Sequence, residues 1–309
     1  MSSSALHAEY HTLFDKHWLL VMNPFLEKRE LGNTGLTTSR LGIGSTFNAP
    51  ASAIEAAVEW GVNYLYWGTV RQPDFAQAMR NLEKKNRDEL IFTIQSYSKD
   101  ASTVAGEVEE ALKSCGVGRF DFLLLGSRDE KPGDEFIEVF ENLKERDIVR
   151  HLSISSHNRP FLPELLDDYA NGSCPYELLM FRYNAVHRGA ERDIFPHVDG
   201  RPKPFMATYT STRWGHLLDP TKMPNGESPV SARDCYRYSL SPEAVDMVIC
   251  GPGSAAQMEE AISALEKGPL VEDERARIER IGEHLYQQYA PAYPDKGDAE
   301  DVAAGVAAH

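Results

Sequence analysis

Two kinds of hydrophobic pattern alternate along the chain. Short runs that are apolar at nearly every position fall at residues 40–45, 62–68, 90–95, 120–126, 149–155, 177–184, 205–211 and 245–251. Between them, apolar residues recur every three or four positions, the period of a helix with one buried face. Ser52 is placed to cap a helix carrying Ile54, Ala57 and Val58, and a second helix is predicted over residues 73–82. Thr103 precedes Val104, Val108, Ala111 and Leu112, with Gly116 placed to stop that helix. Phe136, Ile137, Phe140 and Leu143 form a further stripe. Ser254 opens another, with Met258, Ile262 and Leu265 inside and Gly268 at its end, and a last helix is expected near residues 271–289.

Strands that are apolar on both faces must be covered on both, which a parallel sheet wrapped by crossover helices provides. Eight such strand and helix units predict an α/β fold, a closed (β/α)8 TIM barrel. A doubly wound open sheet would want a G-x-G-x-x-G turn after its first strand, and GIGSTFNAPAS, starting at Gly42, does not supply one. One barrel domain is therefore expected over residues 28–290. An extension precedes it at residues 1–27, and an Ala/Asp/Pro-rich tail at residues 291–309 has the composition of a disordered segment.

Composition narrows the partners. The 309 residues include 47 acidic and 32 basic ones, a formal net charge of -15 with no Lys/Arg cluster, so nucleic acid and anionic membrane surfaces are excluded as expected partners. A small molecule remains. Cys115, Cys174, Cys235 and Cys250 show no C-x-x-C spacing, and two of them sit in apolar runs, which points to reduced thiols and a cytoplasmic location. The first residues lack the basic and then apolar pattern of a secretory leader. His157, His187 and His216 share no ligand spacing, so no metal is expected. Oligomeric state is not legible.

In such barrels the chemistry sits where strands end. His157 follows the fifth strand and is the side chain best suited to titrate near neutral pH, which makes it the leading acid/base candidate against a purely hydrogen-bonded role. Tyr66 at the second strand's end, and Tyr97 with Lys99 nearby in sequence, are further candidates. For Tyr66 the simpler reading is an aromatic filler beside Trp67, itself a candidate for substrate contact. Arg182 and Asn184 at the sixth strand's end, and Arg213 further on, could hold substrate. Either arginine would suit an anionic one, since a guanidinium fork matches a carboxylate or phosphate.

Six stretches resemble the aldo-keto reductases, from about residue 28 to residue 281. LGNTGLTTSRLGIGS at residues 31–45 resembles that family's N-terminal hairpin and first strand, in the subgroup reading LGxTGLxVSxLGLGT. AIEAAVEWGVN at residues 53–63 resembles its first helix and turn, and residues 149–155 its VRxIGVS strand. RYNAVHR at residues 182–188 is similar to YNLLxR, ATYTSTRWGHL at residues 207–217 to AYSPLxxGxL, and ICGPGSAAQMEEA at residues 249–261 to IPGxxxxEQLxEN. The resemblance implies carbonyl reduction with NADP or NAD.

The family's catalytic tetrad, however, falls on Tyr66 for its Asp, Arg71 for its Tyr, Gln95 for its Lys and Gly126 for its His, so all four are replaced. Hydride delivery needs an acid for the developing alkoxide, and acid assistance is typically worth about 10² to 10⁴ in rate. The cofactor positions are better kept. Ser155 matches the carboxamide contact, although its Asn neighbour is Ser156 and the amide-binding Gln is Met180. Tyr209 matches the aromatic under the nicotinamide. Thr210, Gly215 and Leu217 match the pyrophosphate loop. Gly251, Gly253, Ser254 and Gln257 form a turn into a helix N-terminus, a good anion cradle. No Arg or Lys stands in residues 253–257 for a 2′-phosphate.

Three readings follow. The first is a nicotinamide-linked oxidoreductase with a rebuilt proton donor. The second is a lyase or isomerase that needs no cofactor, with His157 as base and Arg182 or Arg213 as anion anchor. The third is a noncatalytic barrel that binds a ligand.

Overall fold

The computed structural model describes residues 23–68 and 72–289. Most of the expected extension, the expected tail, and Arg71 lie outside these residues.

A two-stranded hairpin, β1 (Arg29–Glu30) and β2 (Thr37–Thr38), precedes the barrel. The barrel strands are β3 (Leu41–Gly44), β4 (Tyr64–Trp67), β5 (Ile91–Ser96), β6 (Phe120–Leu125), β7 (Val149–Ser156), β8 (Tyr176–Arg182), β9 (Phe205–Tyr209) and β10 (Met247–Cys250). They pair in sequence order, all parallel, and β10 closes on β3. Around them lie α1 (Ala51–Trp60), α2 (Pro73–Asn86), α3 (Ala101–Cys115), α4 (Asp134–Glu145), α5 (Leu162–Ala170), the short α6 (Ala190–Asp193), α7 (Ala232–Leu240), α8 (Ala255–Lys267) and α9 (Glu272–Tyr289). Every predicted strand is present, with each end within two residues of its expected position. No described helix is long and apolar enough to cross a membrane.

The continuous apolar runs are explained by two cores. Tyr64, Ile91, Phe122, Leu124, Leu178, Met180, Phe205 and Ile249 fill the barrel, while the residues between them pack outward under the helices. Gly42 admits this filling: a Cβ there would lie 2.7 Å from Ile249 and 2.9 Å from Tyr64. Trp67 belongs to the outer layer, buried against Phe75 of α2 with ring centroids 6.0 Å apart. This corrects its assignment to substrate, because alternation turns Tyr66 inward and Trp67 away.

The hairpin closes the N-terminal end of the barrel with Leu31 and Leu36. Glu177 Oε2 holds its turn, accepting from Asn33 N at 2.8 Å and from Tyr169 Oη at 3.0 Å. Two helix starts differ from expectation. Helix α1 begins after Pro50 with no side-chain cap, two residues ahead of the expected cap Ser52, and α3 is capped by Asp100, whose carboxylate accepts from Ser102 N, instead of by Thr103. Gly116 ends α3 in the left-handed conformation, and Ser254 caps α8, both as expected. Near the last helices the buried Arg237 ties three segments together, donating to Gly268 O, Pro269 O, Asp234 and Glu274.

Candidate active site

The C-terminal ends of the strands open into a cleft of about 760 Å³. Its floor is set by the inward residues of the central strands. Tyr66 on β4 donates its hydroxyl to Gln95 Oε1 on β5. Gly126, just past β6, makes the room: a Cβ there would lie 2.2 Å from Gln95 Nε2 and 2.9 Å from Tyr97. The space that the resemblance gives to a cationic and acidic tetrad is thus filled by a neutral tyrosine and amide pair over a glycine. Burial first, then the neighbouring Tyr97, Tyr64 and Tyr209, pushes the Tyr66 hydroxyl well above its ordinary pKa, so it stays protonated. Lys99 donates to Ser127 O, so its hydrogen bond leads to the loop after β6.

On the wall formed by β7 and β9, Tyr209 Oη lies 3.0 Å from His157 Nε2, with the rings edge to face at 5.4 Å. Ser155 lines the cleft beside them and its Oγ accepts from Ser127 N at 3.0 Å, which leaves its own proton to donate. The loop after β9 is held in an unusual conformation. Thr210, Arg213, Trp214 and Gly215 all have positive φ, sparsely populated for the three that carry a Cβ. Asn184 fixes its start, with Nδ2 donating to Thr210 O at 2.9 Å and Oδ1 accepting from Val186 N and His187 N. The sharp turn brings Trp214, Gly215 and Leu218 to the cleft.

The third side is the turn from β10 into α8. Gly253 N donates to Gln257 Oε1 at 2.7 Å, and Gln257 N to Ser254 Oγ at 3.2 Å, so the helix start is self-capped and rigid. Phe47 covers this turn: a Cβ on Gly251 would stand 2.9 Å from its ring. Tyr236 of α7 backs it, and Glu260 is the one carboxylate that reaches the cleft among the described residues.

Tyr66, Tyr97, His157, Ser155, Tyr209, Thr210, Gly215, Gly251, Gly253, Ser254 and Gln257 therefore share one cleft. Four other expectations are corrected. Arg182 is buried and does not line the cleft. Arg213 is buried too, its guanidinium 4.7 Å from the Trp214 ring and donating to Tyr289 O at the end of α9, because the left-handed turn points it away. Asn184 spends its amide on the loop backbone. Leu217 sits in the core, and its neighbour Leu218 faces the cleft instead. Phe47, Ser211, Thr212, Tyr236 and Glu260 were not foreseen. Phe47 and Tyr236 carry no motif, but Glu260 could have been found from α8, one turn beyond Gln257.

No family model matches the chain. The L-galactose dehydrogenase of Arabidopsis thaliana is 21% identical over 284 residues, covering 78% of this chain and 88% of that protein. The uncharacterized oxidoreductase YqkF of Bacillus subtilis (strain 168) is 25% identical over 179 residues, which is 50% of this chain and 56% of that relative. Among solved structures, the aldo-keto reductase AKR11C1 from Bacillus halodurans superimposes with a TM-score of 0.65 in its holo form and 0.64 in its apo form. Each is 22% identical, with 83% of this chain and 96% of that chain covered.

Proposed function

We propose that this chain, which has the barrel fold of the aldo-keto reductases, is a nicotinamide-linked oxidoreductase that interconverts a small uncharged carbonyl compound and its alcohol, with His157 as the proton donor. The observation that carries the reading is the convergence of Ser155, Tyr209, the Thr210–Gly215 turn and the Gly251–Ser254 turn on the cleft that also holds the His157–Tyr209 pair. Those residues suit a dinucleotide. Gly251 and Gly253 leave a backbone cradle that a Cβ would close against Phe47, the N-terminus of α8 favours a pyrophosphate, and Ser211 Oγ is buried without a hydrogen bond beside it. Ser155 and Tyr209 would hold the nicotinamide end, whose chemistry when bound is hydride transfer.

The chain's own residues then have defined tasks. His157 delivers its proton to the alkoxide oxygen, and Tyr209 Oη fixes the imidazole orientation while its ring face remains for stacking. The substrate is neutral in this reading because neither Arg182 nor Arg213 reaches the cleft, and a carboxylate there would meet no described guanidinium or ammonium group. The same fact weighs against the lyase or isomerase reading, which needs an anion anchor. Tyr66 and Met180 form the floor of a cleft that stays open, as a cofactor site requires.

Titration with NADH and NADPH, followed by fluorescence, tests the reading. NADH is expected to bind about tenfold more tightly, since Glu260 opposes a 2′-phosphate and no described cation attracts one. No binding of either at millimolar concentration overturns it.

A further inference from the structure

We propose that Gln95 Nε2 is the hydrogen-bond donor that polarises the substrate carbonyl, held in place by Tyr66 and given its room by Gly126. The assignment deepens the carbonyl reading above and rests on it. Gln95 is 4% exposed, on the inner face of β5, and it lines the cleft. An amide can point either way, but here Oε1 accepts the Tyr66 hydroxyl. A phenol that stays protonated can keep donating, which leaves Nε2 on the opposite side. Nε2 lies 2.2 Å from the position a Cβ on residue 126 would take, directly over the glycine. Gly126 N donates to Ser96 O at 2.8 Å, so that backbone is not free to withdraw.

The arrangement presents amide protons that meet no described acceptor to a cleft that no described Arg or Lys lines. A carbonyl oxygen is the ligand atom that such a cleft-facing donor can bind. The interaction strengthens as negative charge grows on that oxygen, as in an oxyanion hole, and no proton leaves the amide. It divides the work between two residues: Gln95 stabilises charge, and His157 supplies the proton.

The test is the difference infrared spectrum of acetophenone carrying a ¹³C=O label, bound to the whole protein without dinucleotide. The carbonyl band is expected below its position in hydrocarbon solvent. It should move back toward that position in Gln95→Leu and in Gly126→Ala, whose new Cβ displaces Nε2. Acetophenone affinity, read by tryptophan fluorescence, should fall about tenfold in each. Circular dichroism establishes that the variants are folded, and if Gln95→Leu is not, Gly126→Ala decides. A native band at the hydrocarbon position, no bound band, or an unmoved band in the folded variants overturns the proposal. Loss of NADH binding with the band shift intact overturns only the redox reading.

Discussion

His157 and Tyr209 lie 3.0 Å apart in the wall of the cleft, and their contact joins an imidazole to a phenol that can serve either of its nitrogens. If His157 is the proton donor, His157→Ala lowers kcat by about 10² to 10⁴ while the NADH dissociation constant changes by less than a few fold. Stopped-flow turnover beside an equilibrium titration separates the two, and an unchanged kcat removes His157 from the chemistry. His157 was readable as a candidate because its position after a barrel strand follows from counting strands. Its partner was not, because Tyr209 lies 52 residues away and only the pairing of β7 and β9 with β8 between them brings both to the same wall. The arginines mislead for a related reason. Strand alternation places a Cα, but the left-handed run through Arg213 and Trp214 decides where the guanidinium goes.

Helix α8 connects sequence to site most directly. Its Ser254 cap, its Gln257 return bond and its Gly268 terminus are local signals, legible because capping depends on neighbours within a few residues. Ser254→Ala should cost about 1 kcal/mol, seen as a lower thermal midpoint, and should weaken NADH as well, since the same turn forms the cradle. Loss of stability with unaltered NADH affinity would separate the cap from the cofactor.

The clamp joining α7, α8 and α9 gives a pH signature. Bonding to Arg237, with smaller help from Lys267 and Val271 N, holds Glu274 down at about 2, below its ordinary 4.5. Asp234, against the upward pull of burial, is held at about 2 by Arg237, Ser231 and Arg233. Because both folded values are depressed, this stabilisation is complete above the ordinary carboxylate range and is lost as pH falls toward 2. In Arg237→Leu the thermal midpoint near pH 7 should drop, by about 3 kcal/mol in stability, and its decline between pH 5 and 2 should be shallower than in the native protein. Parallel declines in the two proteins would deny the clamp its part in acid unfolding.

At the scale of the whole molecule, a chain of net charge -15 keeps a nearly neutral cleft, with Glu260 as the carboxylate that reaches it among the described residues. Charge is spread over the surface, where it is hydrated, while the cleft is built from strand ends whose inward positions are apolar, hydroxylic or, at Gln95, an amide. A ligand that binds only the folded barrel stabilises it by mass action, about 2.7 kcal/mol at a hundredfold excess over its dissociation constant. NADH should therefore raise the thermal midpoint more than NADPH at equal concentration, and a larger rise with NADPH would reverse the proposed role of Glu260.

The sequence by itself determined the barrel. Runs buried on both faces, separated by helices with one buried stripe, admit few other packings, and the resemblance in six ordered stretches agrees with the fold that AKR11C1 shares. The resemblance also implies that the family's tetrad positions carry other residues here. Only the tertiary structure decided what stands in their place, because the Tyr66–Gln95 pair over Gly126 joins three different strands and depends on side chains meeting across the barrel. Local pattern fixes which face of a strand a residue occupies. What that residue touches is set by closure, by the turns at the strand ends and by the volume left free beside Gly126.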